Sequence, residues 1–427
     1  MKKILIRGPS LSQSGYGIAT RYAISALRKH SHRFDIYLTN TPWGATGWQW
    51  EDTEERQYID SLIQKTMIYQ SEHKENAVFD ISLQSCIPNE FQQLAPINIL
   101  YTAGIETTKI SIPWFEGAMK YNKIIFTSNY SKYAFENTVY QATNSNTGQQ
   151  INIKVETPME VVNYPVRLFD PKEIELNLPN NFNFLCVAQW NPRKNIPNTI
   201  KYFIEEFKDK EVGLVLKLSS INNSRIDRQN TLMRLKEVLE PFKNRKCSIH
   251  LLHGDLSSEE MTYVYRHPKI KALISLNHGE GFGLPLFEAV YNGLPVITPA
   301  YGGPNDFIYM PDKHGKQKCM IANVSYDVGP IQKEAVWENM LIPESQWCFA
   351  KELQAKLKMK EMYKNYGSFK SQALKLQKYV LEEFENDKMC DKFANAVSED
   401  LGEINIEDFL NDNVVKNDML ESVMEYA

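Results

Sequence analysis

NHGEGFGLPLFEAVYNGLPVITPAYGGPNDF, residues 277–307, decides how this chain folds. An apolar run, Ile270-Lys-Ala-Leu-Ile-Ser-Leu276, precedes it and has the length and composition of a buried parallel strand. His278 to Gly283 then form a tight glycine-rich turn. Glycines there allow positive φ and let a ligand approach the main chain closely. Leu284 to Tyr291 has helical spacing, Asn292-Gly293 stops it as a left-handed cap, and Leu294 to Pro299 reads as the next strand. The stretch is therefore a βαβ unit with its glycine turn at the C-terminal end of a strand, where open α/β sheets bind ligands.

Glu280 lies in the turn and Glu288 eight residues on, within the helix. Eight residues is a little over two helical turns, so both carboxylates are expected on one side at different depths. The helix start near Leu284 offers free N–H groups to an anion. An anion flanked by two carboxylates suits a sugar nucleotide: phosphate on the N–H groups, sugar hydroxyls on one Glu and ribose hydroxyls on the other.

Glu280 and Glu288, with seven residues between them inside HGEGFGLPLFEAVYNGLPVI, resemble the signature of family 4 glycosyltransferases. The resemblance implies a retaining enzyme of the GT-B fold. That fold is two Rossmann-like, doubly wound parallel-sheet domains facing a cleft, with C-terminal helices crossing back to the first. It places Glu280 at the donor sugar, as a catalytic residue, and Glu288 on the nucleotide ribose. Gly281, Phe282, Gly283 and Leu284 fall among the donor contacts. The bland alternative is a structural turn with two solvated glutamates.

The chain has 427 residues, enough for two domains with separate cores. No run is apolar enough to span a bilayer. The basic start, Met1-Lys-Lys-Ile-Leu-Ile-Arg7, has too short an apolar run for a signal peptide and reads as a first strand. Six scattered cysteines without a Cys-x-x-Cys imply reduced thiols, no zinc site and a cytoplasmic setting, with peripheral membrane association left open. A formal net charge of −4 gives no footprint for non-specific nucleic-acid binding, although a local basic face is compatible with it.

The first half alternates apolar strands (Lys3–Arg7, Phe34–Leu38, Phe79–Leu83, Ile97–Thr102, Lys123–Thr127, Val161–Tyr164) with amphipathic stretches at Ile18–Leu27 and Ser131–Val139. The second repeats the pattern at Phe182–Val187, Gly213–Leu218, Ile249–His253, Ala272–Leu276 and Val296–Thr298. Its helices fit Asn198–Phe207, Arg225–Phe242 and Ser257–Tyr265. Such alternation predicts parallel sheets covered on both faces. Gln141–Thr157 reads as a loop or β-hairpin insertion. The expected division is residues 1–170, with a linker at Asn163–Pro171, then 171–378. A crossing helix at about 379–398 follows, then an acidic tail or peripheral helix at 399–427. Ser345–Lys392 reads as a long helical pattern broken at Gly367.

Gln189-Trp-Asn-Pro-Arg-Lys-Asn195 follows the first strand of the second half. The resemblance puts a diphosphate-gripping Arg and Lys in this loop. Lys194 matches the Lys, as a second catalytic residue, but Gln189 stands where the Arg is expected. Arg193 supplies the missing charge, or Gln189 donates as a neutral group. Gly15, Tyr16 and Gly17 open the first helix as an anion cradle, with the two glycines on the donor and Tyr16 on the acceptor or sugar side. Glu106 and Thr107 end the fourth strand as acceptor or sugar contacts, or else cap the next helix. Ser128 reads as an N-cap. Ser219, His253 and Gly254 occupy loops that in the family hold the nucleotide base. Trp114, Trp337 and Trp347 read as packing residues.

The function expected is transfer of a sugar from a nucleoside-diphosphate donor, UDP- or GDP-linked, to a hydroxyl of a glycan, lipid or other acceptor. No metal and no cofactor are expected. The alternatives are a non-catalytic sugar-nucleotide-binding scaffold and a glycosyltransferase acting on modified DNA bases.

Overall fold

The computed structural model describes residues 1–143 and 149–399. Its first sheet contains six parallel strands. These are β1 (Lys2–Gly8), β2 (Phe34–Asn40), β3 (Ile81–Ser85), β4 (Ile97–Thr102), β5 (Lys123–Phe126) and, after a hairpin of β6 (Tyr140–Thr143) and β7 (Gln150–Ile153), β8 (Met159–Val161). Their order is β2-β1-β3-β4-β5-β8. Strands β3, β4 and β5 are buried along their whole length, as expected for a sheet with helices on both faces. Helices α1 (Gly15–Lys29), α2 (Glu54–His73), α3 (Ile112–Ala118) and α4 (Asn129–Asn137) belong to this half.

The second sheet also has six parallel strands: β9 (Asn183–Gln189), β10 (Gly213–Ser219), β11 (Ser248–Leu252), β12 (Ile270–Ile274), β13 (Val296–Thr298) and, past a hairpin of β14 (Tyr309–Pro311) and β15 (Gln317–Cys319), β16 (Ala322–Asn323). The order is β11-β10-β9-β12-β13-β16. A further hairpin joins β17 (Tyr326–Pro330) to β18 (Gln346–Ala350). The helices are α5 (Ile196–Phe207), α6 (Arg225–Leu239), α7 (Ser258–Arg266), α8 (Leu284–Tyr291), α9 (Asn305–Ile308), α10 (Glu352–Lys364), α11 (Tyr366–Glu383) and α12 (Asn386–Ser398).

Each sheet reverses its strand order at its own first strand. β1 lies between β2 and β3, and β9 lies between β10 and β12. At such a switch point the loops leave in opposite directions and open a crevice. The loops after β9 and β12 are therefore neighbours in space although they are about eighty residues apart in sequence.

The crossing is visible in the packing. Helix α11 lies on α8, where Gln377 Nε2 donates to Tyr291 O (2.9 Å) and Lys370 Nζ to Gly293 O (2.6 Å). The chain turns at Phe384–Glu385, and α12 then lies on α1 of the first half. There Tyr22 Oη donates to Met389 O (2.8 Å), and the Phe393 ring sits 5.2 Å from Tyr22 and 4.9 Å from Tyr101. One apolar core thus runs from Ile99 and Val162 through Phe287 and Val380 to Phe393. Among the described residues no helix is long and apolar enough to cross a membrane.

Several expectations need correction. Ser345–Lys392 is not helical throughout: it opens with strand β18, and the break between its helices falls at Asn365, after Lys364, and not at Gly367. Gly367 lies inside the first turn of α11, where it costs little. Helix α2 was not expected. Its buried residues, Ile59, Leu62, Thr66 and Tyr69, form a stripe so narrow that charge dominates the pattern. The insertion at 141–157 is a hairpin. Trp114 and Trp347 are buried, but Trp337 is 61% exposed. The expected tail lies, but for its first residue, outside the described residues.

Candidate functional site

The loop after β9 is held in one shape by its asparagines. Asn191 accepts a hydrogen bond on its side chain from Lys194 N–H (3.2 Å) and so closes a single helical turn over Pro192–Lys194. Asn195 takes the left-handed conformation, φ +52°, which asparagine tolerates. Its Nδ2 donates to Leu276 O (3.0 Å) and stitches the loop to the end of β12. His278 N–H donates to Arg193 O (2.8 Å), completing the seam. Arg193 and Lys194 are thereby aimed at the glycine turn.

The turn itself works differently from the sequence expectation. Gly283 has φ +95° and begins α8, as a left-handed glycine should. Gly279 and Gly281 are glycines for another reason. A Cβ at 279 would stand 2.4 Å from Glu106 O, and one at 281 would stand 2.6 Å from Ala103 O. What approaches their backbone is the first domain's loop after β4. The two halves meet here, and Ser128, which caps α4 by accepting from Ser131 N–H, also donates to Gly281 O.

Four charged side chains converge at this contact. Arg193 Nη1 lies 2.9 Å from Glu280 Oε2, and its Nη2 lies 3.2 Å from Glu106. Lys194 Nζ pairs with the other oxygen of Glu280. Burial alone would raise the Glu280 carboxyl, yet Lys194 and Arg193 overcome it and hold the group below the usual carboxylate range. Arg193 therefore bridges the domains, with one carboxylate from each on its fork. Glu106 does not cap α3, since Ser111 performs that role.

Glu288 faces elsewhere. It lines a cavity of about 260 Å³ with Leu284, Tyr265, Ser257, Arg21 and Arg167, and Glu280 is not among the residues around it. The two glutamates thus serve separate places. Tyr265 Oη donates to Glu288 Oε2 at 2.7 Å. Burial raises the Glu288 carboxyl above its ordinary value, against the opposing pull of Tyr265 and Arg167.

The remaining expected residues divide. Tyr16 Oη shares a 2.7 Å hydrogen bond with Thr102, and its ring stacks on Trp43 at 4.2 Å. Gly15 is exposed. Gly17 is required by the loop itself, because a Cβ there would fall 1.9 Å from Ser12 O. Arg21, which the sequence did not single out, fixes that loop by donating to Ser10 O and Ser12 O, each at 2.8 Å. Phe282, expected at the donor, is instead core, with its ring 5.1 Å from each of Tyr164, Phe287 and Phe307. Thr107 is fully buried and donates to Lys109 O (3.2 Å) within its own loop. Gln189 donates to Ser220 O (3.1 Å), beside its register partner Ser219.

His253 is likewise structural. Its Nε2 lies 2.9 Å from Asp227, a residue the sequence did not single out, and both side chains are almost wholly buried. Asp227 also accepts from the backbone N–H groups of Ser220, Ile221 and Asn223. Burial would raise its carboxyl, but these donors hold it below the ordinary range. Gly254, at φ +124°, offers its carbonyl to Lys217 Nζ (2.7 Å). Asp227→Ala should lower unfolding free energy by about 3–5 kcal/mol, since it orphans three amides and a buried imidazole. Denaturant unfolding checks this, and a loss under 1 kcal/mol contradicts it. A depressed folded pKa contributes stability above the unfolded carboxylate range and loses it as pH falls through the folded value, so wild type and Asp227→Ala should converge in acid.

Residues 172–315, which include the β9 loop, the glycine turn and Glu288, match the family model described as Glycosyl transferases group 1. No curated protein sequence matches the chain. Among solved structures, the chain is similar to sucrose-phosphate synthase from Thermosynechococcus elongatus. The TM-score is 0.58 at 12% identity, over 92% of this chain and 98% of that one. It is also similar to HepE from Anabaena, solved with UDP-glucose, with TM-score 0.56 and 13% identity over 93% and 100% of the two chains. At such identities the likeness establishes the fold, which is GT-B.

Proposed function

We propose that this chain is a metal-independent, retaining glycosyltransferase. It moves a sugar from a nucleoside diphosphate, UDP- or GDP-linked, to a hydroxyl of an acceptor glycan, lipid or other compound. The observation that carries this reading is the convergence of Arg193 and Lys194 on Glu280 at the switch point of the second sheet. The family-model match spans those residues. HepE, of the same fold, was solved with UDP-glucose, which favours UDP as the first donor to try.

In the reaction the donor diphosphate takes the two cations now neutralised by Glu280 and Glu106. Arg193 stands in for the cation absent at Gln189, which removes the main reason to read the site as decayed. Glu280, released from part of its pairing, accepts hydrogen bonds from the sugar. The bond from the anomeric carbon to the diphosphate oxygen breaks, and the acceptor oxygen bonds on the same face. The acceptor proton goes to the leaving diphosphate. Fixed positive charge beside that leaving group lowers the barrier in proportion to how little it must reorganise. The test is incubation of the chain with UDP- and GDP-sugars in a strong chelator, with nucleoside diphosphate release and anomeric configuration read by NMR. Release with retained configuration is expected. Inversion, or activity restored only by magnesium, overturns the corresponding part.

Glu288 is assigned the ribose. Glu288→Gln should weaken UDP binding roughly 10- to 100-fold, because a charged acceptor is lost. Binding needs the ionised carboxylate, so a raised pKa in the free protein means that affinity grows as pH rises through it. Acidification should weaken UDP binding more in wild type than in Glu288→Gln, in which only protonation of the terminal phosphate of UDP contributes. Calorimetry across pH checks both, and parallel pH profiles contradict the assignment.

A further inference from the structure

The chain passing from the first sheet to the second runs along the Glu288 cavity and is pinned on either side of it. Val166 N–H donates to Phe384 O (2.8 Å), where the chain crosses back after α11. Lys172 N–H donates to Glu259 O (3.1 Å), and its ammonium pairs with Glu260 at 2.9 Å. Between these anchors Arg167 contributes to the cavity wall. Its guanidinium lies 5.3 Å from the Phe169 ring centre, which steers it, and among the described residues it makes no hydrogen bond and no ion pair.

The other charged groups there are committed. Arg21 serves the Ser10 and Ser12 carbonyls and lies 3.7 Å from Glu55. Glu288 uses one oxygen for Tyr265 and keeps acceptor capacity on the other. The cavity therefore holds a guanidinium with five donors to place and a carboxylate with an oxygen to spare, too far apart to pair with each other. A guest that satisfies both must donate and accept at neighbouring atoms. A vicinal diol does this: each hydroxyl gives its proton to the carboxylate and takes one from the guanidinium.

We propose that Arg167 is the second half of a ribose clamp, donating to the diol that Glu288 accepts from, so that the interdomain linker is itself part of the donor site. This rests on the nucleotide-sugar reading above and extends it to a residue outside the matched family segment. It has a mechanical consequence. A nucleotide held by Arg167 fixes the linker, and the linker is tied at Val166 to the place where the chain crosses back. Donor occupancy then stiffens both connections between the halves together.

The test compares UDP with 2′-deoxy-UDP and 3′-deoxy-UDP by calorimetry, on the full chain and on Arg167→Gln, with melting temperature as the check on folding. Wild type should prefer UDP over at least one deoxy analogue by tenfold or more. Arg167→Gln should lose about tenfold in UDP affinity and little for that analogue, so the preference collapses. Hydrogen exchange across residues 163–171 should slow with UDP in wild type and not in the variant. Unchanged UDP affinity in Arg167→Gln, or an equal loss for UDP and both analogues, overturns the clamp while leaving the nucleotide site in place. Failure of wild type to bind UDP or GDP at all would remove the nucleotide reading and the clamp with it.

Discussion

Lys194→Ala should lower kcat at saturating donor by about 10²- to 10³-fold, the range for removing one preorganised charge from a buried transition-state site. The ammonium is already held beside Glu280 at the glycine turn, so the donor has only to exchange one partner for another on binding, and the charge is in place before diphosphate charge develops. Arg193→Ala should cost at least as much, because Arg193 also bridges to Glu106 across the cleft. A merely structural role predicts something different: the melting temperature falls, while kcat at saturating donor, measured well below that temperature, stays at the wild-type level. Glu280 keeps Arg193 at 2.9 Å in the variant, so the loss of stability should stay below the roughly 3–5 kcal/mol of a fully orphaned buried charge. If kcat is unchanged under those conditions, Lys194 is a packing cation and the diphosphate is held by something else.

Which parts of this arrangement were legible in the sequence follows from how far each interaction reaches along the chain. The strand, turn, helix and strand around Glu280 were readable because every signal lies within thirty residues: an apolar run, a glycine turn, a helical spacing and a glycine stop. Helix α8 runs over the residues expected for it, and the stop is Gly293 at φ +70°. Arg193 was readable as a cation near Lys194, but its partner Glu106 belongs to the other domain. Only the fold reveals that Gly279 and Gly281 have no room for a side chain because a neighbouring loop lies against them. Asp227 was hidden for a related reason. Three residues past an N-cap serine, it reads as ordinary helix-start chemistry, whereas its real partners are a preceding loop and a histidine from the next strand's end. Phe282 misled because a ring inside a glycine turn looks like a ligand contact. Its ring neighbours are Tyr164 of the linker, Phe287 of α8 and Phe307 of α9, and only the fold brings the first and last of these against it.

Gly281→Ala should separate domain closure from everything else the protein does. The three atoms nearest to an added Cβ at 281 all belong to Ala103 of the first domain, the closest being its carbonyl oxygen at 2.6 Å. Backbone cannot yield to that distance, so the clash is relieved only by moving the loops apart. Nothing within the second domain is disturbed at that range, and its own fold should melt as wild type does. The expected result is a larger radius of gyration in small-angle scattering and the loss of the Arg193 bridge to Glu106. Ordering two reactants in one geometry is worth many powers of ten, and a displacement of about 1 Å costs about 100-fold, so kcat should fall by that order. UDP affinity should change by only a few-fold, because Glu288 and Tyr265 both belong to the second domain and keep their contact. Gly367→Ala is the control: an added Cβ there meets nothing within 4 Å, and neither scattering nor rate should move. Should Gly281→Ala react at the wild-type rate with an unchanged scattering curve, the seam between the turn and the Ala103 loop is not where the cleft closes.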